Sequence, residues 1–439
     1  MTGESRRDPL EDLDHDTLAR LLPDLLLIGQ LIDRAGMPAL LGEFGVDGMR
    51  DVAIEEWQAA SPHYARRMKE ALQITGDGVA EIFKGFQLDV GAPPEFMDFR
   101  YGVTDHDHGE FWLDHCGALM DVEPMGDRLV TTMCHDIEDP TFPATALATN
   151  PRAVVEPIHR PPRSPEGRTP HCHWVVRIDP DVEPAPMPGP AIESASSRLI
   201  DFRFDPPVPR DDTGQGWRDD YSGSLLTDLV FREFTSAALI RTIREVYLQM
   251  HLLAVGFHQS VRRRSDAETA DRLLAYQATG ISGVAAGRIR DILAGAVVNS
   301  DAAGVSEATE TSGAAELAAV LDLHPLSGPT AYTGYSSHLS DDGRTLTVTW
   351  DTEADGFADD TWLPQLAAGD LRPLRAAAHA VDPRWIVESV PGDGARVEAV
   401  LRLGSVPTTE SEEVAVTRLS TGAAFSFGPA RTPLPITPV

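Results

Sequence analysis

Lysine is nearly missing from this 439-residue chain, where Lys69 and Lys84 stand alone. A Schiff-base lysine or a phosphate-loop lysine therefore has almost no candidates. Positive charge as a whole is scarce. With 37 basic and 68 acidic side chains the formal charge is −31, and such a surface repels phosphate backbones and anionic lipid. Nucleic acid and membrane are accordingly not expected as partners. Three cysteines do not make a disulfide framework. No stretch reaches the roughly 18 uninterrupted apolar residues of a membrane helix: Leu21–Ile32 is broken by Pro23, Asp24 and Gln30, and 237–257 by Arg241, Arg244, Glu245 and His251. The charged opening residues lack the apolar core of a signal peptide. These absences lead to the expectation of a cytoplasmic protein. Neither a Gly-x-Ser-x-Gly elbow nor a Gly-x-Gly-x-x-Gly loop after a strand occurs. Gly280–Gly287 lies in an alanine-rich helical stretch and reads as close helix packing.

What is present repeats. A proline-rich stretch near the middle, residues 181–216, reads as a linker or long surface loop. Residues 1–16 read as a frayed N-terminus and 406–439 as an aperiodic tail. Between them lie two units, 17–180 and 217–405, that open on helically spaced apolar residues: Leu18, Leu21, Leu22, Leu25, Leu26 and Ile28 in one, Leu239, Ile240, Ile243, Val246, Tyr247, Met250 and Leu253 in the other. Each then turns strand-like. Tyr101–Gly109 aligns with Tyr335–Gly343, Asn150–Pro157 with Asp382–Ser389, and Trp174–Ile178 with Ala399–Leu403. The turns Asp107-His108-Gly109 and Asp341-Asp342-Gly343 suit hairpins. Helices are expected over 142–149 and 371–381. The expected fold is therefore α+β: two tandem copies of a helical pair plus an antiparallel sheet, forming a pseudo-dimer within one chain.

The second unit acts as a control for the first. All three cysteines (Cys116, Cys134, Cys172) fall in the first unit, and seven of the 14 histidines, including His115, His135, His159, His171 and His173, fall within its span 106–173. In the alignment Cys116 faces Trp350, Cys134 and His135 face Leu366 and Ala367, and 171–173 face 396–398. The scaffold persists without these residues, so they point to chemistry. Antiparallel pairing around Pro165 places His159 opposite His171 or His173, which share one strand face. Three imidazoles with an open position suit a catalytic metal, and Cys134 or His135 would add a fourth ligand. Zinc is the first expectation; imidazole with carboxylate also suits iron, and copper is a further alternative. Asp136 or Glu138 would act as base on a metal-bound water, with Cys134 beside them. Arg160 and Arg163 are candidates for holding a substrate carboxylate. A structural zinc site in a ligand-sensing protein is the competing possibility, as is an oxygen-using iron or copper enzyme.

The residue order also matters. A strand ends in Cys116, Cys134-His-Asp-Ile-Glu-Asp139 precedes a helix, a strand carries Glu156, and Cys172-His-Trp-Val-Val-Arg177 closes the unit. Over roughly residues 20–178 this resembles the L-2-amino-thiazoline-4-carboxylic acid hydrolase-like family, and more loosely the small-molecule-binding domains of the vinyl-reductase type. The resemblance implies a small heterocyclic or amide-like substrate, hydrolysis of a C–N or C–S bond, and Cys116, Cys134 and Cys172 as the site with Asp136 beside Cys134. Whether the cysteines or the histidines carry the chemistry stays open at the level of sequence.

Overall fold

The computed structural model describes residues 8–210, 215–300, 310–392 and 394–428. The chain begins with a short turn over Pro9–Asp12 and then helix α1 (His15–Ala71), capped by the Asp14 carboxylate, which accepts from the Thr17 amide at 2.6 Å. Its apolar residues from Leu18 to Ile32 are buried. One 18-residue window of this helix is apolar enough to cross a membrane by length and composition, and 72% of that window is buried inside the protein. The helix is interrupted at Gly45, whose φ of +69° suits glycine and few other residues. A straight helix would hold residues 33 and 57 about 36 Å apart. The Trp57 side chain instead lies close enough to the Asp33 carboxyl to favour its charged form. The two arms of α1 therefore fold back on each other at Gly45.

Helix α2 (Val79–Gln87) leads into strands β1 (Met97–Val103) and β2 (His108–Cys116). Short helices α3 (Gly117–Val122) and α4 (Asp127–Thr131), a π-helical turn over Thr132–Ile137 and helix α5 (Glu138–Leu147) come next, then β3 (Ala153–His159) and β4 (Cys172–Ile178). The sheet is antiparallel in the order β1-β2-β4-β3. Phe111, Leu113, Cys172, Trp174 and Val176 alternate onto its buried face. There Phe111 stacks on Trp174 at 6.0 Å, and Phe142 of α5 meets the Trp174 ring at 5.1 Å.

After α6 (Gly189–Ser194) and α7 (Arg198–Asp201) come the long helices α8 (Ser236–Arg262), α9 (Ala267–Ser300) and α10 (Glu310–Asp322), then α11 (Thr330–Thr333). Strands β5 (Tyr335–Leu339) and β6 (Thr345–Asp351), helices α12 (Leu363–Ala367) and α13 (Arg372–Val381), and strands β7 (Trp385–Val390) and β8 (Arg396–Leu403) complete a second antiparallel sheet, ordered β5-β6-β8-β7. Its core is indole-rich: Trp350, Trp362 and Trp385 are at most 1% exposed. The architecture is thus α+β with two four-stranded antiparallel sheets, and one continuous hydrophobic core runs from Leu10 to Leu401.

Two segments that read as loose in sequence are tied down. The proline-rich 181–216 stretch docks on α1: His63 donates to the Ala191 carbonyl at 2.8 Å, and Arg67 donates to the carbonyls of Leu199, Ile200 and Phe202. The start of the tail forms α14 (Glu412–Arg418) and α15 (Thr421–Ala424). A β-carbon at Gly283 would lie 2.6 Å from a Val414 methyl, so the glycines of α9 do serve close packing. Residues 8–16 are also anchored, with Arg244 bonded to Asp8 and Glu11. Residues 1–7, 211–214 and 429–439 lie outside the described residues.

A close backbone crossing joins the halves. At Gly256 of α8 a β-carbon would sit 2.7 Å from the Glu56 carbonyl oxygen of α1. Gly256→Ala should force the helices apart and lower the unfolding free energy by about 1–3 kcal/mol, as overpacking does. Chemical denaturation monitored by circular dichroism measures it, and an unchanged midpoint would contradict the crossing.

Candidate functional site

A cavity of about 90 Å³ lies between the arms of α1, the turn after α2, the buried side of β1 and β2, and α5. Its walls are mostly apolar, with Trp57, Phe86, Met97, Phe99, Met133 and Phe142 among them. Four polar side chains stand out: Gln30 and Asp33 from the first arm of α1, Asp89, and Glu138. Each is positioned by a local feature of the chain. The reversal at Gly45 brings Asp33 to Trp57. Asp89 sits in the turn after α2, where one carboxylate oxygen accepts from the Tyr64 hydroxyl at 2.8 Å and from the Gly91 amide at 2.7 Å. Glu138 opens α5 immediately after the π-helical turn. Such turns insert an extra residue that re-aims the next side chains, and they recur at functional sites.

The polar atoms are poorly satisfied. Gln30 Oε1, Asp33 Oδ1 and Glu138 Oε2 are buried without a hydrogen-bond partner among the described residues. Leaving a buried polar atom unpaired costs about 1–3 kcal/mol, so such a cluster points to a ligand rather than to stability. Burial pushes the Glu138 carboxyl up to about 8; Arg160 opposes this shift and Asp139 adds to it. Burial raises Asp89 to about 6, against the opposing bonds from Gly91 and Tyr64. Asp33 is also raised by burial, although Arg34 and Trp57 favour its charge. Glu56, across the helix reversal, is raised by burial and then by Asp33.

The thiols and imidazoles of the first unit are sorted onto opposite faces of the sheet. Cys116, Cys134 and Cys172 are all buried, free thiols. Burial pushes Cys134 far up, and Glu138, Cys116 and Cys172 nearby push the same way. Cys116 is raised to about 12, chiefly by burial and then by Glu138. The three thiols therefore gather around Glu138 but stay protonated, which makes them poor nucleophiles. Cys116 also caps α3, accepting from the Leu119 amide at 3.3 Å.

The histidines take the outer face. His159 pairs with His173 in register, their rings 5.9 Å apart, and His173 donates to Glu110 at 2.9 Å. His171 lies 5.8 Å from the His115 ring instead. His135 donates to the Pro161 carbonyl at 2.5 Å. Burial lowers both His159 and His171, keeping their rings neutral. Among the described residues no three His, Cys, Asp or Glu side chains converge as a group that could hold a metal ion. The expected zinc, iron or copper ligand set does not fit this arrangement, because the hairpin register spreads the imidazoles along the sheet and each takes a local neighbour.

The remaining expected residues divide in the same way. Asp136 is exposed, whereas Glu138, two residues on, enters the cavity. Arg163 is clamped by Glu123 through two bonds of 2.9 and 2.7 Å, and Arg160 pairs with Asp139 and lies over the Trp174 ring. Both arginines are engaged by the chain's own acids, and neither lines the cavity. Sequence reasoning missed Gln30, Asp33, Asp89 and Trp57. A signal existed: Gln30, Asp33 and Arg34 interrupt the apolar face of α1 at helical spacing and end up at most 8% exposed.

No protein family, curated protein or solved structure matches the chain.

The electrostatics make two measurable demands. Because the folded value of Glu138 is raised, its contribution to stability is full below the ordinary 4.5 and is lost as pH rises toward 8. Relative to wild type, Glu138→Gln should gain stability across that window. It should melt higher at pH 8.5 by roughly 2–4 °C for each kcal/mol gained, and differential scanning calorimetry at several pH values reads the trend. A variant that loses stability with rising pH as wild type does would show that Glu138 is not the buried acid. Separately, a thiol reagent at pH 8 should label none of the three cysteines in the folded protein and all three in denaturant. Rapid labelling of native Cys134 would contradict its burial.

Proposed function

We propose that the chain is an enzyme that hydrolyses a C–N or C–S bond in a small organic molecule bound in the first-unit cavity. The observation that carries this reading is a pair of carboxyls lining one cavity from two different elements, the turn after α2 and the start of α5, and held on either side of neutrality: Asp89 at about 6 and Glu138 at about 8. Titratable groups pushed apart in this way take opposite roles in acid–base catalysis. At pH 7 Glu138 carries its proton and donates it to the leaving nitrogen or sulfur. Asp89, largely ionised, accepts a proton from the attacking water. Tyr64 and Gly91 hold Asp89 in place, and the aromatic walls exclude bulk water, which strengthens charge interactions inside. The chemistry needs no thiolate, in keeping with the protonated state of the three cysteines. No step is routed through a metal.

We also propose that the chain arose by duplication and that only the first unit reacts. Supporting this are the shared strand order of the two sheets and the indoles of Trp350, Trp362 and Trp385 buried in the second. On this reading the second unit fills with tryptophan the space that the first leaves open.

The test is a panel of small amides, amidines and thioethers, assayed by mass spectrometry of the products. A hydrolysed substrate should give a bell-shaped pH–rate profile with limbs near 6 and 8. Asp89→Asn and Glu138→Gln should each lower kcat by about 10²–10⁴-fold and remove their own limb. A rate that survives both substitutions would sink the assignment.

A further inference from the structure

The cavity's chemistry narrows what it holds, and this step rests on the reading of the cavity as the reactive site. Among the described residues no lysine, arginine or histidine lines it. Arg34 is buried next to Asp33 along α1 and is not among the lining residues. The three unpartnered atoms, Gln30 Oε1, Asp33 Oδ1 and Glu138 Oε2, offer acceptor oxygens. Gln30 and Asp33 are 5% and 4% exposed, so solvent does not satisfy them from outside. Around them stand the rings of Trp57, Phe86, Phe99 and Phe142. Acceptor oxygens within aromatic walls favour a cation that also donates hydrogen bonds, since ring faces attract positive charge. We infer that the cavity binds a small primary ammonium compound, whose three N–H groups match the three unpartnered oxygens and whose carbon body lies against the aromatic walls.

The size sets the class more narrowly. At about 90 Å³ the cavity is smaller than the roughly 150 Å³ that admits benzene. A short aliphatic amine fits this space; a ring-bearing amine does not without movement of the walls. A carboxylated substrate would meet the carboxyls of Asp33 and Asp89 and no cation among the described lining residues; Arg34 and Arg160 act on Asp33 and Glu138 from outside the lining. The arginines that could have received a carboxylate, Arg160 and Arg163, are engaged by Asp139 and Glu123.

Isothermal titration calorimetry on the whole chain at pH 7.5 tests this with four probes of similar size: n-propylamine, propionamide, propionate and tetramethylammonium. Propylamine should bind saturably at one site. Propionamide, propionate and tetramethylammonium (a cation without N–H) should each bind at least tenfold more weakly. Gln30→Leu and Asp33→Asn should each weaken propylamine binding tenfold or more while melting at or above the wild-type temperature, since the first removes an unpartnered polar atom and the second a buried ionisable carboxyl. No saturable propylamine binding, propionate or propionamide binding as tightly, or unchanged affinity in both variants would overturn the inference. Equal affinity for tetramethylammonium would overturn the N–H match. The two readings fail separately. Hydrolysis with the bell-shaped profile but without ammonium selectivity removes only this inference. Ammonium binding through Gln30 and Asp33, with hydrolysis indifferent to Asp89 and Glu138, removes only the acid–base assignment.

Discussion

The reversal of α1 at Gly45 is the constraint on which the site depends. It takes two segments of one helix that would lie about 36 Å apart if straight and lays them side by side, so that Asp33 meets Trp57 and Glu56. Without that turn the cavity would lose one wall, and its acids would face water. The left-handed backbone at Gly45 is cheap only for glycine, so a single small residue decides how Asp33 and Glu56 meet. The pairing of α1 with α8, tight enough at Gly256 to exclude a β-carbon, then holds the reversed helix against the second half of the chain.

The cavity is a place where the chain gives up stability. Burial raises Asp33, Asp89, Glu56 and Glu138 together, and several of their oxygens have no partner among the described residues. A protein selected for stability alone would place leucine or methionine at these positions. The second sheet shows what such filling looks like, with Trp350, Trp362 and Trp385 buried in its interior. At the contact of α1 with α8 buried charge is paired. Arg67 meets Glu245 in a two-pronged bond and caps three carbonyls of the 181–216 segment. Buried polar atoms without a partner among the described residues also occur elsewhere in the interior, at Arg34, Glu56 and Tyr335 among others; what sets the cavity apart is that three of them belong to residues lining one aromatic-walled space.

The contrast in sequence between the two units singles out the part of the chain that holds Cys116, Cys134, Cys172 and the cavity-lining Glu138. It does not separate the thiols from the imidazoles. Strand alternation does that: Cys172 and Trp174 point inward, His173 and Arg177 outward. The histidines resemble a ligand set because their spacing on the hairpin is regular. The register pairs His159 with His173, one of the two partners expected for it, and leaves His171 to His115. The choice between Asp136 and Glu138 is equally unreadable in sequence, since a π-helical turn shifts the helix phase by a residue in a way that no hydrophobic pattern announces.

The sequence by itself determined the α+β class, the hairpins at 104–107 and 340–344, helix α13 and the long amphipathic helices, because these rest on local turn chemistry and on periodicity within a few residues. Only the tertiary structure decided which polar residues meet. Gln30, Asp33, Asp89 and Glu138 are spread over more than one hundred positions, and their encounter depends on a helix reversal, a turn and a sheet register. Local propensity carries no information about contacts at that range, so the interruption of an apolar helix by Gln30, Asp33 and Arg34 read as a break in a hydrophobic run until the fold closed a cavity around it.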